Sequence, residues 1–354
     1  GAGTAGTIFK AELQGETREL AVRRLAIDLL SHLTYDELVR ETAALGKLPE
    51  HPNVLRVVGL ASDTARFGIV MEYMPHSLSR VLARAAASAS AAQKMHAAWP
   101  MIATEVASGL QALHAAGVAH LALHPRNVLL DSAMGVKLAD YGRSRRVVLS
   151  RVDAEASAPA VEDDASDVQD PPRLYLAPEI LTARKRIDFK ADMWAFGVLV
   201  TRIVLLEPPY ATLGYSAADE HHVSQVLERV ASSELEPASQ LEASVDGVHA
   251  DELSSVKVLV EVCTSREPRS RPRIPIVIDQ LQRIVLDRAQ RAGSPTPPPP
   301  PETASSPLAK PTLGYHSDAL GRSLQRPSVR QALADADAAA DAAAQRRSWK
   351  PLWC

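Results

Sequence analysis

The chain is poor in cysteine. Its 354 residues include two, Cys263 and Cys354, set far apart. They form no metal or redox motif, which excludes a disulfide or zinc scaffold and makes a reducing compartment the default, here the cytoplasm or the cytosolic part of a larger protein. Charge of one sign is also missing. The formal net charge is -3, which argues against nucleic-acid or membrane-surface binding through bulk electrostatics. No apolar run is long enough for a bilayer. The longest, Met193 to Leu206, carries Arg202 and reads as a buried core helix, so no membrane segment is expected in this fragment. Neither a signal peptide nor a repeat at solenoid spacing is visible. The first residue is Gly1, not Met, so the chain is expected to be a fragment, with an upstream domain or anchor out of view.

What is present is apolar bulk. Hydrophobic residues make up 46 %, enough for a large core, and the length suggests ~2 domains or lobes. Three composition zones follow one another. Residues 1–74 alternate Gly-rich, strand-like and helical stretches. Residues 75–290 are mostly helical, with apolar residues three and four apart. Residues 291–354 form a Pro/Ala/Ser-rich tail, expected to be mostly disordered, and Ser294 to Pro301 within it is a stiff polyproline tract. Two low-complexity patches interrupt the middle zone. Ala85 to Ala92 reads as an Ala/Ser insert between helices. Arg151 to Pro172 is acidic, lacks aromatic residues and reads as a mobile loop.

Several motifs then recur in a fixed order. Gly1-Ala-Gly3-Thr-Ala-Gly6-Thr-Ile8 fits G-x-G-x-x-G-x-V, whose glycines let backbone amides approach a phosphate. A strand-like Leu20-Ala21-Val22-Arg23 follows, then a helical stretch with Glu41, then His51-Pro-Asn-Val54 and the apolar Gly68 to Met74. Further on stand Val118-Ala-His120-Leu121-Ala122-Leu123-His124-Pro-Arg-Asn127 and Lys137-Leu-Ala-Asp140-Tyr141-Gly142. Tyr175-Leu-Ala177-Pro178-Glu179, Asp192 to Gly197, and Arg271-Pro272 complete the series.

This order and spacing resemble the eukaryotic protein kinases over residues 1–290. Within them, Cys263 and the Asp192 to Gly197 helix look most like the tyrosine-kinase-like group. The resemblance implies an α+β bilobal fold: a small antiparallel sheet lobe with one regulatory helix (1–74), the start of its first strand lying ahead of Gly1, and a larger, mainly helical lobe (75–290). ATP would bind between the lobes. By resemblance Gly1, Gly3 and Gly6 would line its phosphates, Ile8 and Ala21 would cover adenine from above and Leu129 from below. Met71 would be the gatekeeper, and Glu72, Tyr73 and Met74 would offer hinge backbone groups. The same apolar positions would also be core without any nucleotide. Asn127 and Asp140 match the side chains that hold magnesium, a cation that requires hard oxygen ligands.

Other positions depart from the family. Arg23 replaces the ATP-anchoring Lys; its charge persists but its planar fork is bulkier, and it would meet Glu41 in an ion pair. Lys10 resembles an ordinary exposed basic residue and does not rescue the motif. Ala122 stands at the position of the catalytic Asp, where a methyl group can neither orient a hydroxyl nor accept its proton. Leu121 replaces the Arg that reads activation-loop phosphate, His124 replaces a Lys, and Pro171-Pro172 replace the Gly-Thr that supports the catalytic Asp. The scaffold positions persist. His120, Tyr141, Leu45 and Val57 match four stacked residues linking the lobes, Asp192 their anchor, and Glu179 with Arg271 a buried ion pair. Arg143, Arg145 and Arg146 precede the acidic Glu162, Asp163, Asp164, Asp167 and Asp170, either as a solvated loop or as an acidic stretch folded onto the arginines.

The resemblance thus implies a degenerate, pseudokinase-like member: a signalling scaffold or allosteric regulator of another protein, such as an active kinase. The resemblance allows ATP and magnesium as ligands, though a scaffold needs neither. Two alternatives stay open. One is a weakly active Ser/Thr kinase using Asn127 and Asp140 for magnesium. The other is an interaction module whose Pro-rich tail recruits an SH3- or WW-type domain.

Overall fold

Alternating side chains build the smaller lobe. A computed structural model describes residues 7–11, 19–24, 50–62, 67–140, 170–182, 187–242 and 244–291. Strands β1 (Thr7–Ala11), β2 (Leu20–Arg24), β3 (Val57–Ser62) and β4 (Phe67–Glu72) pair antiparallel in the order β1-β2-β4-β3. Residues directly opposed in such a sheet point to the same face. The register sets Ile8 against Arg23, Lys10 against Ala21, Ala21 against Met71 and Arg23 against Ile69. One face therefore carries Ile8, Ala21, Arg23 and Met71. Leu20, Val22 and Val70 fall on the other, where they pack with Ala61 as a small separate core.

The larger lobe begins with a second sheet, β5 (His76–Ser77), β6 (Val128–Leu130) and β7 (Val136–Leu138), in that order. Its helices are α1 (Leu78–Ala87), α2 (Ala89–Ala115), α3 (Pro178–Leu181), α4 (Lys190–Leu205), α5 (Glu220–Ser232), α6 (Ala250–Cys263) and α7 (Ile274–Arg291). The architecture is the expected α+β bilobal one. No helix among the described residues is long and apolar enough to cross a membrane. The apolar run from Met193 lies within α4, where every residue from Ala191 to Val204 is buried.

The Ala85 to Ala92 patch is not the insert expected from its composition. Ala85 to Ala87 close α1, Ala89 opens α2, and Ser88 alone, extended at φ -150, separates them. Alanine loses no side-chain entropy in a helix, so an Ala-rich patch extends its neighbours. The tail beyond Arg291 lies outside the described residues.

The two lobes are stitched through the His51-Pro-Asn53-Val54 motif. Leu138 N–H donates to Asn53 O (2.9 Å), Leu55 N–H to Leu138 O (2.8 Å), and Asn53 Nδ2 to Val136 O (3.0 Å). Gly109 of α2 makes room for this crossing, because a Cβ there would lie 2.5 Å from Asn53 O. Elsewhere α7 is fastened to α2 and α6. Arg288 donates to the buried Glu252 carboxylate through Nε (2.8 Å) and Nη2 (2.6 Å), and Trp99 Nε1 donates to it at 2.9 Å.

The expected Glu179–Arg271 pair forms deep in this lobe. Arg271 donates through Nη1 (2.6 Å) and Nη2 (2.8 Å) to the two carboxylate oxygens. It also donates to Lys190 O (2.7 Å) and Ser265 O (2.8 Å), and its guanidinium lies over the Trp194 ring. Glu179→Ala leaves this charge buried and unpaired, so it should lower unfolding stability by about 3–5 kcal/mol. Urea denaturation checks this, and the double variant Glu179→Leu with Arg271→Met should lose less than the single one.

Candidate functional site

The β6–β7 hairpin brings two of the expected site residues to one end. Val128 pairs with Leu138, and Ala139 N–H donates to Asn127 O at 2.8 Å. Asn127 enters the hairpin where Asp140 leaves it. Asp140 has left-handed backbone, φ 58, a region sparsely used by residues other than glycine.

Asp140 accepts a hydrogen bond from Arg23 Nη1 at 2.6 Å. The partners are 117 residues apart, on opposite sides of the cleft between the sheet lobe and the helical lobe. Both are largely shielded, with side-chain exposures of 19 % and 24 %. The Asp140 charge raises the Arg23 pKa above the ordinary arginine value despite the opposing effect of burial. Arg23 Nε is buried and makes no hydrogen bond. Such an unsatisfied donor costs about 1–3 kcal/mol, which an acceptor entering the cleft would recover. The partner expected for Arg23, Glu41, lies outside the described residues.

The loop before the hairpin is bent around a buried carboxylate. Asp192, in the first turn of α4, has no exposed surface. It accepts the backbone N–H groups of His120 (2.8 Å) and Leu121 (2.7 Å) and the Nε2–H of His114 (2.7 Å). These bonds hold Leu121 at φ 58, an outlier for a bulky residue. The His120 ring is fully buried, and burial pushes its pKa below the ordinary histidine value against the pull of Asp192 and Asp140. Asn127 spends its two Nδ2 hydrogens inside this loop, on Ala122 O (2.8 Å) and His124 Nε2 (3.0 Å). The backbone at Ala122 is thereby pinned, around a methyl group.

Of the positions expected around adenine, Ile8, Ala21 and Met71 share one face of the small-lobe sheet, and Leu129 lies in the sheet of the larger lobe. Ala21 and Leu129 are buried, while Ile8 and Met71 are half-buried. Along the expected hinge, Glu72 N–H donates to Arg56 O (3.1 Å), Tyr73 N–H donates to Glu19 O (3.0 Å), and Met74 is buried. The Glu72 carboxylate turns to Lys137 (2.9 Å) and to the Arg56 amide (2.7 Å). Lys10 is exposed, as expected; it pairs with the exposed Glu19 and sits 4.9 Å from the Tyr73 ring centroid. Gly1, Gly3, Gly6, Leu45 and Tyr141 lie outside the described residues; Val57 is half-buried against the main core.

Asp170 departs from expectation. Read as part of a mobile acidic loop, it is instead buried, accepting from Tyr175 Oη (2.6 Å) and from Arg202 Nε (3.1 Å). Pro171 is buried beside it, and Pro172–Tyr175 form a 3-10 turn leading to α3. The signal was visible in the sequence: a lone arginine in a buried apolar run needs a buried counter-charge. Spacing could not say which acid supplies it. Arg143, Arg145, Arg146 and residues 151–169 lie outside the described residues.

A family model described as "protein kinase domain" matches residues 1–281. The chain belongs to the protein kinase family. It is 27 % identical over 293 residues to a dual specificity protein kinase shkB of Dictyostelium discoideum, covering 81 % of this chain and 40 % of that protein. It is 26 % identical over 288 residues to the serine/threonine-protein kinase CTR1 of Arabidopsis thaliana, covering 80 % of this chain and 31 % of that one. Serine/threonine-protein kinase 12 of Arabidopsis thaliana is 27 % identical over 289 residues, covering 80 % of this chain and 55 % of the relative. The chain thus spans roughly a third to a little over half the length of these curated relatives.

Protein kinases generally use ATP with magnesium, which neutralises charge on the phosphates. With its Nδ2 hydrogens committed to the loop, Asn127 has Oδ1 to offer such an ion. Asp140 has Oδ1 committed to Arg23. Magnesium on that carboxylate would stand within a few ångströms of a guanidinium. Unit charges ~4 Å apart interact by about 4 kcal/mol at an effective dielectric of ~20, and a divalent ion doubles the repulsion. With one oxygen of Asp140 held by Arg23 and a guanidinium beside it, the residues as arranged fit a magnesium ion poorly.

The segment anchor is open to a direct check. Asp170→Ala strands the Arg202 guanidinium among apolar neighbours and should cost about 3–5 kcal/mol of stability. Tyr175→Phe removes one hydrogen bond to a charged group and should cost about 1.5–3 kcal/mol. Chemical denaturation of the single and double variants should show non-additivity, since both act on one carboxylate.

Proposed function

We propose that this chain is a pseudokinase, a kinase-fold protein that does not transfer phosphate and acts by binding another protein as a scaffold or allosteric regulator. Ala122 carries the reading. It stands where the catalytic carboxylate is expected, in a loop whose backbone is otherwise held by Asp192 and Asn127. The fold has kept the support and dropped the group being supported. A positioned general base is typically worth ~10²–10⁴-fold, and no carboxylate at Ala122 remains to supply it.

Two further features agree. Arg23, at the position of the ATP-anchoring lysine, directs its guanidinium to Asp140. Leu121, at the position of the phosphate-reading arginine, is buried, while the following segment is tied down by an internal Asp170–Arg202 pair. We assign the chain to the tyrosine-kinase-like group on its Cys263 and Asp192 to Gly197 motifs. A nucleotide between Ala21 and Leu129 would serve as a conformational ligand, acting only through its different affinities for two states. The partner would be another protein in a signalling pathway, such as an active kinase, with the Pro-rich tail as a second contact for SH3- or WW-type domains.

The test is phosphotransfer from radiolabelled ATP, to the chain itself and to a generic basic protein. The natural chain should show no transfer above that of Asp140→Ala. Ala122→Asp with Arg23→Lys should exceed it. Transfer by the natural chain that disappears on Asp140→Ala would overturn the pseudokinase reading.

A further inference from the structure

The Arg23–Asp140 pair raises a question that the missing catalytic carboxylate does not answer. The residue expected to hold a metal holds a cation of the protein instead. A guanidinium differs from magnesium in charge, but it does the same electrostatic task for a polyanion: it concentrates positive charge and directs it along fixed lines. Its donors lie in a plane, and one edge can bind a carboxylate while the others face a phosphate. Here Nη1 meets Asp140 Oδ1 at 2.6 Å, which ties one corner of the guanidinium to the carboxylate. Nε is buried with no hydrogen-bond partner. Lys10 and Lys137 are engaged with acids, Glu19 and Glu72. Among the described residues, Arg23 is thus the cation best placed to meet an anion between the lobes. It projects from the same sheet face as Ile8 and Ala21, so an anion at its tip would belong to a ligand whose flat apolar part lies against those residues.

We propose that Arg23 takes the place of the metal: the cleft binds a nucleoside triphosphate without a divalent cation, and Asp140 acts as the positioning residue that aims the guanidinium at its phosphates. This rests on the reading of the cleft as a nucleotide-holding site. It inverts the family's arrangement, in which the carboxylate holds the metal and the metal holds the phosphates. Added magnesium has no vacant carboxylate oxygen at Asp140 Oδ1 to claim, and must compete with a charge already in position.

Calorimetric titration of the full chain tests this, with ATP in EDTA and then in excess magnesium. The two dissociation constants should agree within about 3-fold. Arg23→Gln should weaken ATP binding about 10- to 100-fold, the effect of a lost charged hydrogen bond. It should leave adenosine binding unchanged, which a merely structural defect would not do. Arg23→Lys, which keeps the charge but loses the fork, should bind ATP more tightly with magnesium than without. Circular dichroism melts establish that each variant is folded. ATP binding that requires magnesium in the natural chain, or that survives Arg23→Gln, overturns the proposal, and so does failure to bind ATP under either condition. None of these outcomes bears on Ala122, whose consequence is read by phosphotransfer, so the two readings fail separately.

Discussion

Asp192 has no exposed surface, and it lies in the first turn of α4, a helix buried along almost its whole length. Removing a carboxylate from water is costly unless donors replace the lost hydration. Three N–H groups do so: the amides of His120 and Leu121 and the ring of His114. The cost of burial thereby becomes a positional constraint. The loop must bring its amides to a fixed point on α4, and to do so it accepts a left-handed leucine. Asn127, the β6–β7 hairpin and Asp140 follow from that point in sequence and in space. If the clasp were loosened, the geometry around Ala122 and the aim of Asp140 would both drift.

Around this constraint, two further charges are satisfied internally. Arg23 turns to Asp140. Arg202 reaches from α4 to Asp170. A charged hydrogen bond across the cleft or along the 170–182 segment favours a single arrangement of the protein over a choice among several.

Much of this was legible in the sequence because it depends on residue type and order. The strand containing Ala21 and Arg23 and the buried run of α4 follow from local pattern, and the Glu179–Arg271 pair from the family resemblance. What was not legible depends on direction. Nothing in Leu20-Ala21-Val22-Arg23 says whether the guanidinium turns to Glu41 or crosses to a residue 117 positions away. Asp170 reads as loop because acids usually are; its burial depends on Arg202, whose need for a partner was visible but whose reach was not. The alanines at 85–92 mislead for a simpler reason. Low complexity resembles a linker, while alanine's helix propensity makes the patch helical once its ends are anchored.

The Glu252 junction has a mechanical consequence. Arg288 grips it with two hydrogen bonds, and Trp99 donates a third from α2. Arg288 also donates to Ala97 O. The chain leaves this junction within a turn of Arg291. A pull on the sequence beyond that residue is therefore borne by a buried carboxylate shared among three helices, and the closing turns of α7 cannot be peeled away without exposing it.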